Sequence, residues 1–100
     1  MNSIVRIKEL IREDRFLISH HARIRMFQRN VSTDDLKSVI TNGEIVEDYR
    51  NDEPCPSVLM LGFLGTVPYH VVVAACEDHL RVITIYIPDE DRWIGYRRRR

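Results

Sequence analysis

The spacing of apolar residues changes near residue 43, and the change divides the chain into a helical part and a strand part. Ile4, Ile7, Leu10 and Ile11 recur at helical intervals with charged residues between them, so residues 3–13 read as an amphipathic helix after Ser3. Phe16-Leu17-Ile18 is a short extended piece leading to Ser19. Ser19 is placed to cap a second helix that runs to about Arg29, where Asn30 suits a left-handed terminator. Ser32 caps a third helix, with Asp34 and Asp35 complementing the helix dipole in its first turn. Leu36, Val39 and Ile40 form its buried face, and Asn42-Gly43 ends it.

From Glu44 onward the pattern is that of strands. Residues 44–50, 57–64, 69–76 and 80–87 are rich in Val, Ile, Leu and Tyr, and the two prolines at 54 and 56 stop pairing between the first and second. The connections at 65–68 and 77–79 are too short for crossover helices. The expected fold is therefore α+β: three N-terminal helices packed on one face of a four-stranded antiparallel meander, with residues 16–18 a candidate extra edge strand. It occupies a single domain over residues 1–96, followed by a basic tail at 97–100.

One layer of helices covers one face of such a sheet and leaves the other for solvent, a partner or a site. On the last strand, Arg81, Ile83, Ile85 and Ile87 read as the core set and Val82, Thr84 and Tyr86 as the opposite one. The face that His70 occupies depends on the 77–79 turn, which sets it opposite either Ile87 or Tyr86.

The stretch Ser19 to Arg29 divides on a helical wheel. Ala22, Ile24, Met26 and Phe27 fall on one broad side with His20 and Arg23, which predicts burial of His20 and Met26. His21, Arg25 and Arg29 fall on the other with Gln28, at i, i+4, i+8. Like charges stacked in this way cost a few tenths of a kcal/mol, so their presence points to an anionic partner.

The formal net charge is zero, but residues 1–29 carry +4, residues 30–91 carry −9 and residues 92–100 carry +5. Basic ends brought together by the fold can present a basic surface, so composition does not exclude nucleic acid. No apolar run approaches the roughly 20 residues of a membrane span, and charges interrupt the N-terminal apolar residues, so neither a membrane segment nor a signal peptide is expected. Cys55 and Cys76 have no metal-ligand spacing and are expected as reduced thiols of a cytoplasmic protein. No glycine-rich phosphate loop, nucleophile elbow or metal motif is present, and no cofactor is expected.

Acid–base work at neutral pH is the natural use of His21 and His70. RNA cleavage needs a base for the 2′-hydroxyl, an acid for the leaving oxygen and cations for the charge growing on phosphate. The candidate set is His21 or His70 for proton transfer, Arg25 and Arg29 for phosphate, and Tyr86 as a second hydroxyl.

The run Ser19…His21-Ala22…Arg25-Met26…Arg29, followed by Val31-Ser32, resembles the motif of domain-of-unknown-function family 4258, small prokaryotic proteins. The likeness continues through Asn42-Gly43-Glu44-Ile45, Leu61-Gly62-Phe63, His70-Val71-Val72 and Thr84…Tyr86…Pro88…Trp93, with Val31 where isoleucine is usual. The resemblance implies a RelE/ParE-like toxin architecture and, because some members are encoded beside zinc-finger antitoxins, a ribonuclease toxin of a type II toxin–antitoxin pair. RNA (ribosome-associated mRNA included) and a cognate antitoxin are the partners it implies. A non-catalytic module binding protein or nucleic acid through the same surface is the alternative.

Overall fold

The computed structural model describes residues 3–100. Three helices come first: α1 (Ser3–Arg12), α2 (His20–Arg29) and α3 (Thr33–Thr41), with β1 (Phe16–Ile18) between the first two. β2 (Glu44–Tyr49), β3 (Ser57–Leu64), β4 (Val67–Ala75) and β5 (Leu80–Tyr86) follow, then two short strands, β6 (Trp93–Ile94) and β7 (Arg98–Arg99).

The helix ends are made by the residues that the sequence nominates. Ser19 accepts the Ala22 N–H, and Asn30 sits at φ 57°, with its N–H and that of Val31 closing on Phe27 and Met26 carbonyls. Ser32 and Asp35 form a reciprocal capping box at the start of α3.

The sheet corrects the expected four-stranded antiparallel meander. It has five strands in the order β1-β5-β4-β3-β2, and β1 runs parallel to β5; β6 and β7 make a separate antiparallel pair. A three-residue strand is too short to show alternation, and its partner lies some sixty residues away, so no local pattern signals the parallel pairing.

A bulge corrects the core assignment on β5. Val72 pairs with Thr84 but Val73 with Val82, so Ile83 is the extra residue and every side chain beyond it changes face. Leu80, Val82 and Ile85 are buried under the helices, whereas Ile83 and Ile87 are exposed. The same slip sets His70 opposite Tyr86. Ser19 holds this place: its hydroxyl donates to the Ile83 carbonyl at 2.8 Å while capping α2. The start of α2 is thereby tied to the bulge.

The core joins Ile7, Leu10 and Ile11 of α1, Ala22 and Met26 of α2, and Leu36, Val39 and Ile40 of α3 to Val58, Met60, Val71, Val73 and the buried β5 residues. On α2 the buried arc is narrower than expected, because the helix packs chiefly on β5 alone. Ala22 and Met26 are buried; His20, Ile24 and Phe27, expected on the same side, face solvent.

The expected reduced thiols are also corrected, since Cys55 and Cys76 are joined in a disulfide that ties the 50–56 loop to the end of β4. The two cysteines stand 21 residues apart in sequence, so their pairing is set by the β3–β4 register and not by local spacing. Among the described residues, no helix is long and apolar enough to cross a membrane.

Candidate functional site

The second face of the sheet is occupied by the C-terminal residues. Gly95 and Tyr96 both take positive φ in the turn between β6 and β7, and Arg97 N–H closes it on the Ile94 carbonyl. Residues 97–100, expected as a tail, thus contribute β7 and two ion pairs to β2: Arg97 with Glu44 and Arg99 with Glu47. A second bulge, at Val46, turns Glu47 toward this face. Its carboxylate then accepts two bonds from the Arg99 guanidinium, at 2.8 and 3.1 Å, and one from the Tyr49 hydroxyl. The Arg99 bond is the main cause holding the Glu47 carboxyl below its ordinary range. Arg99 also lies over the Trp93 ring, 4.7 Å from its centroid.

Trp93 is buried edge-on against His70, with ring centroids 4.5 Å apart. His70 is fully buried and bonded at both nitrogens. Nε2 is 2.6 Å from the Tyr96 carbonyl, which only accepts, so Nε2 carries the proton. Nδ1 is then free to accept from the Tyr86 hydroxyl at 3.2 Å. Burial is the largest influence on His70 and lowers its pKa from 6.5, opposed by the Tyr96 carbonyl and Glu47. The imidazole is neutral at pH 7. Burial likewise raises the Tyr86 pKa above 10.

In front of this layer is a groove of about 560 Å³ lined by Arg25, Arg29, Tyr86, Ile87, Asp89, Arg92, Trp93 and Arg99. Four arginines face one carboxylate. Arg99 is committed to Glu47, but Arg25, Arg29 and Arg92 have no ion-pair or hydrogen-bond partner for their side chains among the described residues. The groove forms because α2 leans its Arg25–Arg29 flank over the end of β5 while the segment after Pro88 brings Arg92 and Trp93 back to the same place.

Of the five residues singled out in the sequence, Arg25, Arg29 and Tyr86 come together here. His70 lies behind Tyr86, out of reach of anything in the groove. His21 is exposed one helical turn before Arg25 and is not part of the lining. Arg92, Arg99 and Glu47 were not anticipated; the turn-forming Gly95-Tyr96 between Trp93-Ile94 and Arg98-Arg99 is the local signal that could have found the hairpin. Among the described residues, no group of three or more His, Cys, Asp or Glu side chains is placed to hold a metal ion.

The family model for a domain of unknown function, DUF4258, matches residues 18–87. The chain belongs to this family. No curated protein and no solved structure matches it. The DUF4258 match includes His21, Arg25, Arg29, His70 and Tyr86, whereas Arg92, Trp93 and Arg99 lie beyond it. In this member of DUF4258 the groove is thus built from both the matched segment and the C-terminal hairpin.

Proposed function

We propose that this protein is an RNA-cleaving toxin of a type II toxin–antitoxin pair, working without a metal ion in the Arg25–Arg29–Arg92 groove. The observation that carries this reading is that three unpaired guanidinium groups line one groove together with Tyr86. Leaving them unpaired in one groove gains the fold nothing, and planar bidentate donors suit phosphate. In the cleavage step the 2′-hydroxyl gives its proton to the Tyr86 oxygen as Tyr86 passes its own to His70 Nδ1. The 2′-oxygen bonds to phosphorus, the bond from phosphorus to the 5′-oxygen breaks, and the leaving oxygen takes a proton from water. The products are a 2′,3′-cyclic phosphate and a 5′-hydroxyl. His70 acts through Tyr86 and is a positioning residue.

The antitoxin belongs on the outer face of α2. Phe27 is 89% exposed there beside exposed Ile24, on a helix carrying Arg23, Arg25 and Arg29 and no acid. That surface suits an acidic segment with apolar anchors.

A second reading, phosphate binding without cleavage, draws on the burial of His70 with both nitrogens bonded. Induced expression with mapping of cellular RNA ends separates the readings. The wild type is expected to arrest growth and create new 5′-hydroxyl ends. Arg25→Ala with Arg29→Ala should abolish both, by about 100-fold or more in cleavage, with the fold intact because both side chains are exposed. Growth arrest without new RNA ends would favour binding alone.

A further inference from the structure

The two edges of the five-stranded sheet are finished in opposite ways. The β2 edge carries Glu44, Glu47 and Asp48 and a bulge at Val46, devices that discourage another strand from adding. The β1 edge is Phe16-Leu17-Ile18, with no charge, no proline and no bulge.

The parallel ladder fixes what that edge presents. The Arg15 carbonyl accepts from Leu80 N–H at 2.9 Å, and Ser19 N–H donates to the Val82 carbonyl at 3.0 Å. Arg15, Leu17 and Ser19 therefore turn their backbone groups toward β5, and Phe16 and Ile18 turn theirs away. No described residue bonds to the N–H or C=O of either. Leu17 is 62% exposed on the face away from the helices, whereas Phe16 and Ile18 pack against the core.

We infer that β1 is the interface of a homodimer, in which β1 of a second copy pairs antiparallel with it across a two-fold axis at Leu17. In that register Phe16 of one copy and Ile18 of the other exchange both N–H···O=C bonds, and the converse pair does the same. All the outward backbone groups of both strands are thereby satisfied. Leu17 meets its own counterpart in the close, non-hydrogen-bonded position, which covers its exposed side chain. The flanking sequence favours a second copy over a charged partner. Arg12-Glu13-Asp14-Arg15 is neutral, so two such edges approach without net repulsion, whereas two basic α2 faces would repel. β1 lies beside the Leu80 end of β5 and the groove at its Tyr86 end, so pairing leaves both grooves open.

Sedimentation of the purified protein across micromolar to millimolar concentration tests this. The wild type is expected to dimerise, and Leu17→Lys to weaken self-association by at least about tenfold (about 1.4 kcal/mol) with an unchanged circular dichroism spectrum. The register is tested by Leu17→Cys, whose paired Cα atoms would stand about 4.5 Å apart, within disulfide range. It should give a cross-linked dimer on mild oxidation, and the exposed Val5→Cys of α1 should not. If Leu17→Lys fails to fold, the cross-link decides. A monomeric wild type at millimolar concentration, dimerisation equal in Leu17→Lys, or equal cross-linking through Val5→Cys would each overturn the inference.

Discussion

Gly62→Ala is expected to destabilise the fold by at least about 3 kcal/mol. Gly62 is where α3 lies directly on β3. A Cβ there would stand 2.2 Å from the Val39 carbonyl oxygen and 2.8 Å from Val39 Cγ1. The nearest atom is helix backbone, so it cannot turn aside, and relief requires lifting α3 from the sheet that its Leu36, Val39 and Ile40 cover. Gly65→Ala is the control. That turn residue has φ 60° but nothing within 4 Å of the new Cβ, so only backbone strain of roughly 1–2 kcal/mol is expected. Urea unfolding of the two variants checks the difference; equal losses would mean that α3 and β3 are not packed this closely.

His70→Ala is expected to cost about 2–4 kcal/mol and to loosen the C-terminal hairpin before the core. The imidazole fills the space between Tyr86 and Trp93 and donates to the Tyr96 carbonyl at 2.6 Å. Truncation leaves a void under Trp93 and removes the hydrogen-bond partner of both Tyr96 and Tyr86. Hydrogen exchange should rise first in residues 93–99. The same burial predicts a pH dependence. The folded-state pKa lies below 6.5, so the unfolded chain binds the proton more readily. The contribution is full above the unfolded value and is lost as pH falls from there through the folded value. Wild-type stability should fall as the pH is lowered from about 7.5 through the ordinary histidine range, and His70→Gln should remove part of that slope. An identical slope in both proteins would show that His70 is not the group concerned.

Much of the fold is legible in the sequence because local rules and tertiary packing agree there. Ser19, Asn30 and the Ser32–Asp35 box mark helix ends by backbone chemistry that needs no distant partner. The parallel β1–β5 pair and the bulge at Ile83 are different in kind. The first depends on a partner some sixty residues away, and the second is tied from as far by Ser19, while Ile83 itself is as suited to a core as Ile85. The register of His70 with Tyr86 follows from that bulge, which is why the turn alone left it open.

The candidate site divides in the same way. Arg25 and Arg29 stand out because a repeated charge at helical spacing is visible in one dimension, and the groove contains both. Glu47 and Arg99 meet only after β2 bulges and the hairpin folds back over it. The wheel of α2 places Ile24 and Phe27 on the same broad side as Ala22 and Met26, but a helix resting chiefly on one strand buries little more than Ala22 and Met26.

The most direct test of the groove is cleavage of a labelled single-stranded RNA by the purified protein in EDTA, beside the same RNA carrying 2′-O-methyl groups. Cleavage of the first to 2′,3′-cyclic phosphate and 5′-hydroxyl ends is expected, and none of the second. The rate should rise with pH to a plateau by about pH 7 as His70 becomes neutral, and fall about 100-fold or more in Arg25→Ala with Arg29→Ala. Tyr86→Phe should fall comparably in rate while RNA binding is retained. Cleavage of both RNAs alike, or cleavage unchanged in the folded Arg25→Ala, Arg29→Ala protein, would contradict it.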